Sequence, residues 1–427
     1  MAGSRRRLGF EALLLASIAL GLPEFGAGCV TVISLENRPC PCASGYDCCL
    51  TTQTCLTKTQ ICPAALGSGS AGALNAGGTA SAGGTSGAAG DDAQAGAGGD
   101  PGSPRWRAVG SDDDELLPTD RVNMAIAPDG TPYVAFRGCD VCSPPAHRPY
   151  VKRYDGAWQL LPTNQLPGDK MSPALQIDVT GYLYALVDSG VYWFDGAEWL
   201  QQLPVFPLLF TDDATLVLEQ GTFYTTQFNP DVGELSVVRS EGSSWQTIGS
   251  PLLGKSTGAT VRVFEGTVYV ANAYVTEELQ EMIALRRFDG ADWELVFDFA
   301  GSGVEFAVHS PELIYVSYTG PGTLPGAASA RILRLDTAGV TDLGMVPSFF
   351  DPPKFALTSA GTPYIVYLVE DFINVNVFDG TTWVDVDSRD LGNASMVPAL
   401  SLDERGGSVV PYVAAATGDL VRVRKYE

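Results

Sequence analysis

Histidine is nearly absent from this chain of 427 residues, which has two, His147 and His309. A multi-histidine metal site is thereby excluded. A Ser-His-Asp triad would have to use one of these two, and no Gly-x-Ser-x-Gly elbow accompanies them. Both read as ordinary loop or packing residues. Basic residues are scarce as well: 26 Lys and Arg stand against 49 Asp and Glu, a formal net charge of −23. Nucleic acid and anionic membrane surfaces are therefore poor partners. The apolar run Ala12–Leu22 is too short to span a bilayer with ease. Helical periodicity is almost missing, and neither a Gly-rich phosphate loop nor a basic aromatic patch stands out.

What is present begins with Arg5, Arg6 and Arg7, then that apolar run, then Gly26-Ala27-Gly28-Cys29. This N-terminus resembles a bacterial lipoprotein signal. The resemblance implies cleavage after residue 28, a lipid on Cys29, and a place at the outer membrane or cell surface; an uncleaved anchor or ordinary secretion is the alternative. There are 9 cysteines, an odd number that becomes even once Cys29 is set aside. Cys40, Cys42, Cys48, Cys49, Cys55 and Cys62 crowd into 23 residues. In an exported chain such density reads as a disulfide framework, because so short a segment cannot bury a sufficient core. The sequence does not choose among their pairings. Zinc fits poorly, with no histidine nearby and spacings unlike those of zinc fingers.

Residues 63–104 are dominated by Gly, Ala and Ser and lack the apolar residues needed to offset chain entropy. They read as a disordered tether with an r.m.s. span of about 35 Å. The domain order is thus a signal peptide (1–28), a lipid-anchor and cysteine-rich mini-module (29–62), the linker (63–104) and a repeat region (105–427). Residues 1–104 carry only 5 basic and 7 acidic residues, so the repeat region holds −21 of the charge.

The repeat region is marked by an apolar strand with one tyrosine, as in Thr131-Pro132-Tyr133-Val134-Ala135. Tyr133, Tyr184, Tyr224, Tyr269, Tyr315, Tyr364 and Tyr412 follow one another at 51, 40, 45, 46, 49 and 48 residues. Before each runs a short apolar strand such as Lys354-Phe355-Ala356-Leu357. After it comes a third strand that ends in an aromatic residue and Asp-Gly, the strongest short hairpin signal. A tryptophan then opens a fourth strand: Trp158, Trp199, Trp293 and Trp383 in good copies, Trp245 in a weaker one. The fifth repeat has decayed, with Val340 in the tryptophan's place. Four short strands in each of seven units predict an all-β, seven-bladed β-propeller. The tryptophans are expected to be buried between blades. The seventh unit stops at Glu427 without its fourth strand, whereas residues 105–110 carry the missing Trp106. The N-terminal strand 105–110 is therefore expected to complete the last blade and close the ring.

The pattern "D-G-T-P-Y-V-A … [FY]-D-G-x-x-W" resembles the propeller repeats of bacterial surface and secreted proteins, many of them lipoproteins. The hairpins are also distantly similar to the Asp-boxes of sialidases, although the serine of that motif is absent from the good copies. The resemblance implies the fold and leaves the ligand open.

Catalytic residues are not legible. Cys139 and Cys142 form C-x-x-C, but Ser143-Pro144-Pro145 follows where a thioredoxin site needs a helix, so a disulfide pinning a loop is expected. Fold-level reasoning puts binding on the face that carries the loops between blades and between strands two and three. Acidic runs fall in those loops: Asp112, Asp113, Asp114 and Glu115; Asp212 and Asp213; Glu277 and Glu278; Glu370 and Asp371. They are candidate binding residues for a basic partner. The first run is the best candidate for calcium, although it matches no EF-hand loop. No other cofactor is expected. The leading function is a surface-tethered, monomeric binding module for an extracellular protein or glycan. The alternatives are a carbohydrate-active hydrolase or lyase, with a carboxylate pair on that face, and a structural spacer.

Overall fold

A computed structural model describes residues 46–49, 54–57, 104–111, 117–139, 148–162, 166–168, 172–188, 190–204, 215–229, 232–252, 255–320, 329–348, 351–396, 398–417 and 420–427. The chain divides into two units, Met1–Gln94 and Ala95–Glu427. Described residues of the first form an antiparallel ladder of Tyr46–Cys49 with Thr54–Thr57, in whose register Cys48 stands opposite Cys55. Cys29, Cys40, Cys42, Cys62 and Cys142 lie outside the described residues, as do 112–115, Asp212, Asp213 and His147.

The second unit consists of seven four-stranded antiparallel sheets. Blade 4 has the whole pattern: Lys255–Phe264, Thr267–Val275, Glu281–Phe288 and Trp293–Ala300 pair in chain order. The first strands of the seven blades are Leu117–Ile126, Ala174–Ile177, Val217–Glu219, Lys255–Phe264, Ser302–Ser310, Lys354–Leu357 and Ala399–Asp403. Each touches the first strand of the next blade, and that of blade 7 touches that of blade 1, so the inner strands form a ring. Blade 7 takes its fourth strand from Trp106–Ala108, with Trp106 opposite Tyr426 and Ala108 opposite Arg424. Backbone bonds extend the pairing on both sides, between Arg105 and Glu427 in both directions and from Val109 N–H to the Val423 carbonyl.

Both faces of every blade are covered by neighbours. The second strands accordingly read as continuous apolar runs instead of alternating ones, and Val268, Tyr269, Val270 and Ala271 are all buried. Seven hydrophobic clusters follow, one at each junction of consecutive blades, including that between blades 7 and 1. Six of the seven marked tyrosines belong to these clusters, and the seventh, Tyr315, is buried with its ring 6.3 Å from that of Phe355. Five of them stand opposite a basic residue on the third strand: Tyr133 with Arg153, Tyr224 with Arg239, Tyr269 with Arg287, Tyr315 with Arg334 and Tyr412 with Lys425.

The tryptophan register is real, but burial is uneven. Trp106 and Trp199 are buried, whereas Trp158, Trp245, Trp293 and Trp383 are only partly so. The reason is position: each lies at the outer edge, with its indole packed on the preceding blade and one side left to solvent. Trp106 Nε1–H donates to the Val386 carbonyl at 2.6 Å, Trp158 to Val109 at 2.7 Å and Trp245 to Pro204 at 3.3 Å, in each case on the preceding blade. The hairpin aromatic sits against its tryptophan at 5.2–5.4 Å in five blades. In the decayed fifth blade Val340 is exposed, and the junction is filled instead by Phe297 and Phe299 of blade 4, with Phe299 4.2 Å from Tyr318.

The Asp-Gly carboxylates serve the fold. Asp195, Asp289 and Asp379 each accept two turn amides at 2.8 Å, which holds them below the ordinary carboxylate range. His309 is likewise structural, with its ring against the turn glycine Gly361.

Candidate functional site at the mouth of the ring

Each blade's first strand starts at the end where its second strand finishes and its third begins, so the inter-blade segments and the two–three turns share one face. At that face, near the starts of the inner strands, lies a polar cleft with about 680 Å³ of atom-free space, part of it open to solvent. Blade 1 supplies Arg121 and Asn123, and blades 2 and 3 supply Ser172 and Thr215 just before their inner strands. Arg262 comes from blade 4, Glu305 from blade 5 and Lys354 from blade 6. An adjoining hollow adds Thr260 and Asp351.

Two ion pairs cross between blades. Arg121 donates to Asp351 at 3.2 Å, and Arg262 to Glu305 at 3.4 Å. The Arg262 guanidinium also lies 5.7 Å from the Phe306 ring centre and donates to the Val261 carbonyl. Lys354 sits among these four charges. Its ammonium makes no hydrogen bond or ion pair with the described residues. Burial pushes its pKa below the ordinary lysine range; Glu305 and Asp351 oppose that shift, while Arg121 and Arg262 reinforce it. Burial likewise lowers that of Arg262, with Glu305 opposing. Among the described residues three cations and two carboxylates line the two hollows, in a repeat region that carries −21. Ser172 is buried, and its hydroxyl has no partner among the described residues.

The acidic residues singled out from sequence lie elsewhere. Glu277 and Glu278 are exposed in the two–three turn of blade 4, and Glu370 and Asp371 in that of blade 6, on the same face but outside the cleft lining. The run 112–115 lies outside the described residues, and so does Cys142; Cys139 ends the second strand of blade 1. Among the described residues no group of three His, Cys, Asp or Glu side chains is placed to hold a metal ion. The cleft residues were missed because each blade contributes one or two of them. A signal existed: Arg262 stands between Val261 and Val263, Glu305 between Val304 and Phe306, and Lys354 opens the apolar strand that continues Phe355-Ala356-Leu357.

No protein-family model matches the chain, and no curated protein matches it. Solved structures do. A protein of unknown function from Dyadobacter fermentans overlaps with a TM-score of 0.40 at 14% identity, over 75% of this chain and 99% of its own. An oligogalacturonate lyase in complex with manganese gives 0.48 at 11%, over 75% and 98%. A catalytically inactive virginiamycin B lyase from Staphylococcus aureus with quinupristin gives 0.46 at 9%, over 76% and 99%. At these levels the likeness concerns overall architecture and says nothing of what this chain binds. The described architecture is a seven-bladed β-propeller of four-stranded blades.

Proposed function

We propose that this chain is an exported binding module that engages an extracellular protein or glycan through the loop face of its propeller. In this reading a lipid on Cys29 holds it to the membrane, the cysteine-rich segment and the 63–104 tract separate it from that surface, and the propeller acts as a monomer. The strand 105–110 closes the ring. The observation that carries the reading is the polar cleft at the mouth of the ring, where charged side chains from blades 1, 4, 5 and 6 converge. A spacer would have no use for such a cleft, since partly buried charges cost stability unless something binds them.

A carbohydrate-active enzyme is the second reading, favoured by Glu305 and Asp351 sharing the lining of one hollow. Against it, each carboxylate is held by a guanidinium, whereas glycoside hydrolysis needs one of them to hand a proton to the leaving group. A glycan array and a pull-down from extracellular material, both with the full chain, test the proposal. A retained ligand released unmodified supports it. Turnover of the ligand would shift the case to the enzyme, and failure of both screens to retain anything would overturn it.

A further inference from the structure

We propose that the cleft at the mouth of the ring takes a sugar acid, with its carboxylate on the Lys354 ammonium and a hydroxyl on Ser172. The inference rests on the loop-face binding reading and specifies the chemistry of its ligand.

Two independent observations point into the same cleft. The first is Lys354, a partly buried lining residue whose three N–H donors find no acceptor among the described residues. The carboxylates able to neutralise this partly buried ammonium are already bonded to Arg262 and Arg121. One added anionic group balances the described lining, which carries three cations and two carboxylates. The second observation is Ser172, which is 7% exposed and lines the cleft with a hydroxyl that has no partner among the described residues. Buried hydroxyls without partners are rare in native structures, and a ligand that brings its own hydroxyl satisfies this one. Asn123 and Thr215 add further polar groups to the lining.

A ligand with one carboxylate and several hydroxyls matches this set better than either half alone. A neutral sugar leaves Lys354 unpaired, and a simple carboxylate leaves Ser172 unpaired. The surrounding negative charge disfavours polyanions, which a strongly basic groove would take.

The test is calorimetric titration of the full chain with D-glucuronate, D-glucose and acetate. Glucuronate is expected to bind at least tenfold more tightly than either of the others. Lys354→Met should weaken glucuronate binding at least tenfold without lowering the melting temperature, since the ammonium makes no hydrogen bond or ion pair with the described residues. Ser172→Ala should weaken it severalfold, again with the fold intact. Equal affinities for glucuronate and glucose would overturn the proposal, and so would equal affinities for glucuronate and acetate. Unchanged binding by Lys354→Met would do the same, as would a loss of binding that simply tracks a loss of folding. Such failures would leave a ligand retained on the array or in the pull-down untouched, so the broader reading stands or falls separately.

Discussion

Replacing Trp106 with alanine perturbs the junction where the two ends of the propeller sequence meet. The indole is 4% exposed and packs on Val386, Leu391 and Ala394 of blade 6 as well as on Tyr426. Truncating a buried tryptophan costs about 3–5 kcal/mol. Loss of the Nε1–H bond leaves the Val386 carbonyl short of its donor, worth about another 1 kcal/mol. At ~2.1 cal/mol/K per residue, a propeller of roughly 320 residues unfolds with an entropy of about 0.7 kcal/mol/K. A loss of about 5 kcal/mol therefore lowers the melting temperature by about 7 °C. Trp245→Ala is the internal comparison. That indole is partly exposed and makes a longer bond of 3.3 Å, so a fall of about 2–3 °C is expected. Both values can be read from thermal unfolding of the full chain by circular dichroism. A Trp106→Ala melt within about 1 °C of the parent, or equal to that of Trp245→Ala, would refute the reasoning and detach residues 105–110 from blade 7.

Gly249→Ala should destabilise by about 1–3 kcal/mol: φ is +66°, and an added Cβ would lie 2.5 Å from Trp293 Nε1, which thermal unfolding would register. Stability should also depend on alkaline pH in a particular order. Burial takes the Lys152 pKa down to about 8, below its unfolded value, so the unfolded chain holds more protons between pH 8 and about 10.5 and stability rises with pH by up to about 3 kcal/mol. Lys354 acts with the same sign. Tyr367, pushed up to about 12 by burial, acts oppositely, because the unfolded tyrosine ionises first and stability falls from about pH 10 to 12. Urea midpoints from pH 7.5 to 11 should therefore pass through a maximum; a monotonic decline from pH 7.5 would contradict this.

The fold was legible because its markers are local. Tyr364 and the hairpin Phe378–Trp383 can be recognised in their own unit without knowing where other units lie. Seven copies then fix the number of blades. Even the decayed fifth repeat was visible, although what replaces its tryptophan was not, because Phe299 belongs to the preceding blade. The paired placement of Gly249 and Trp293 was hidden for the same reason: the partners are 44 residues apart and meet only across a blade junction. The cleft was harder still. Arg121 and Asp351 are separated by 230 positions and Arg262 and Glu305 by 43, and only the closed ring of inner strands brings all four beside Lys354. Contiguous acidic runs drew attention because adjacency is what a sequence displays. Glu277, Glu278, Glu370 and Asp371 lie in exposed turns, where adjacent like charges remain solvated at little cost.

The most direct measurement of the central claim, binding at the mouth of the ring, is hydrogen exchange of the full chain with and without the ligand retained on the glycan array or in the pull-down. Protection is expected in peptides covering 258–262, 302–306 and 351–355, with the outer strands such as 339–347 unchanged. Protection confined to the outer strands, or to the turns of the opposite face, would contradict the account.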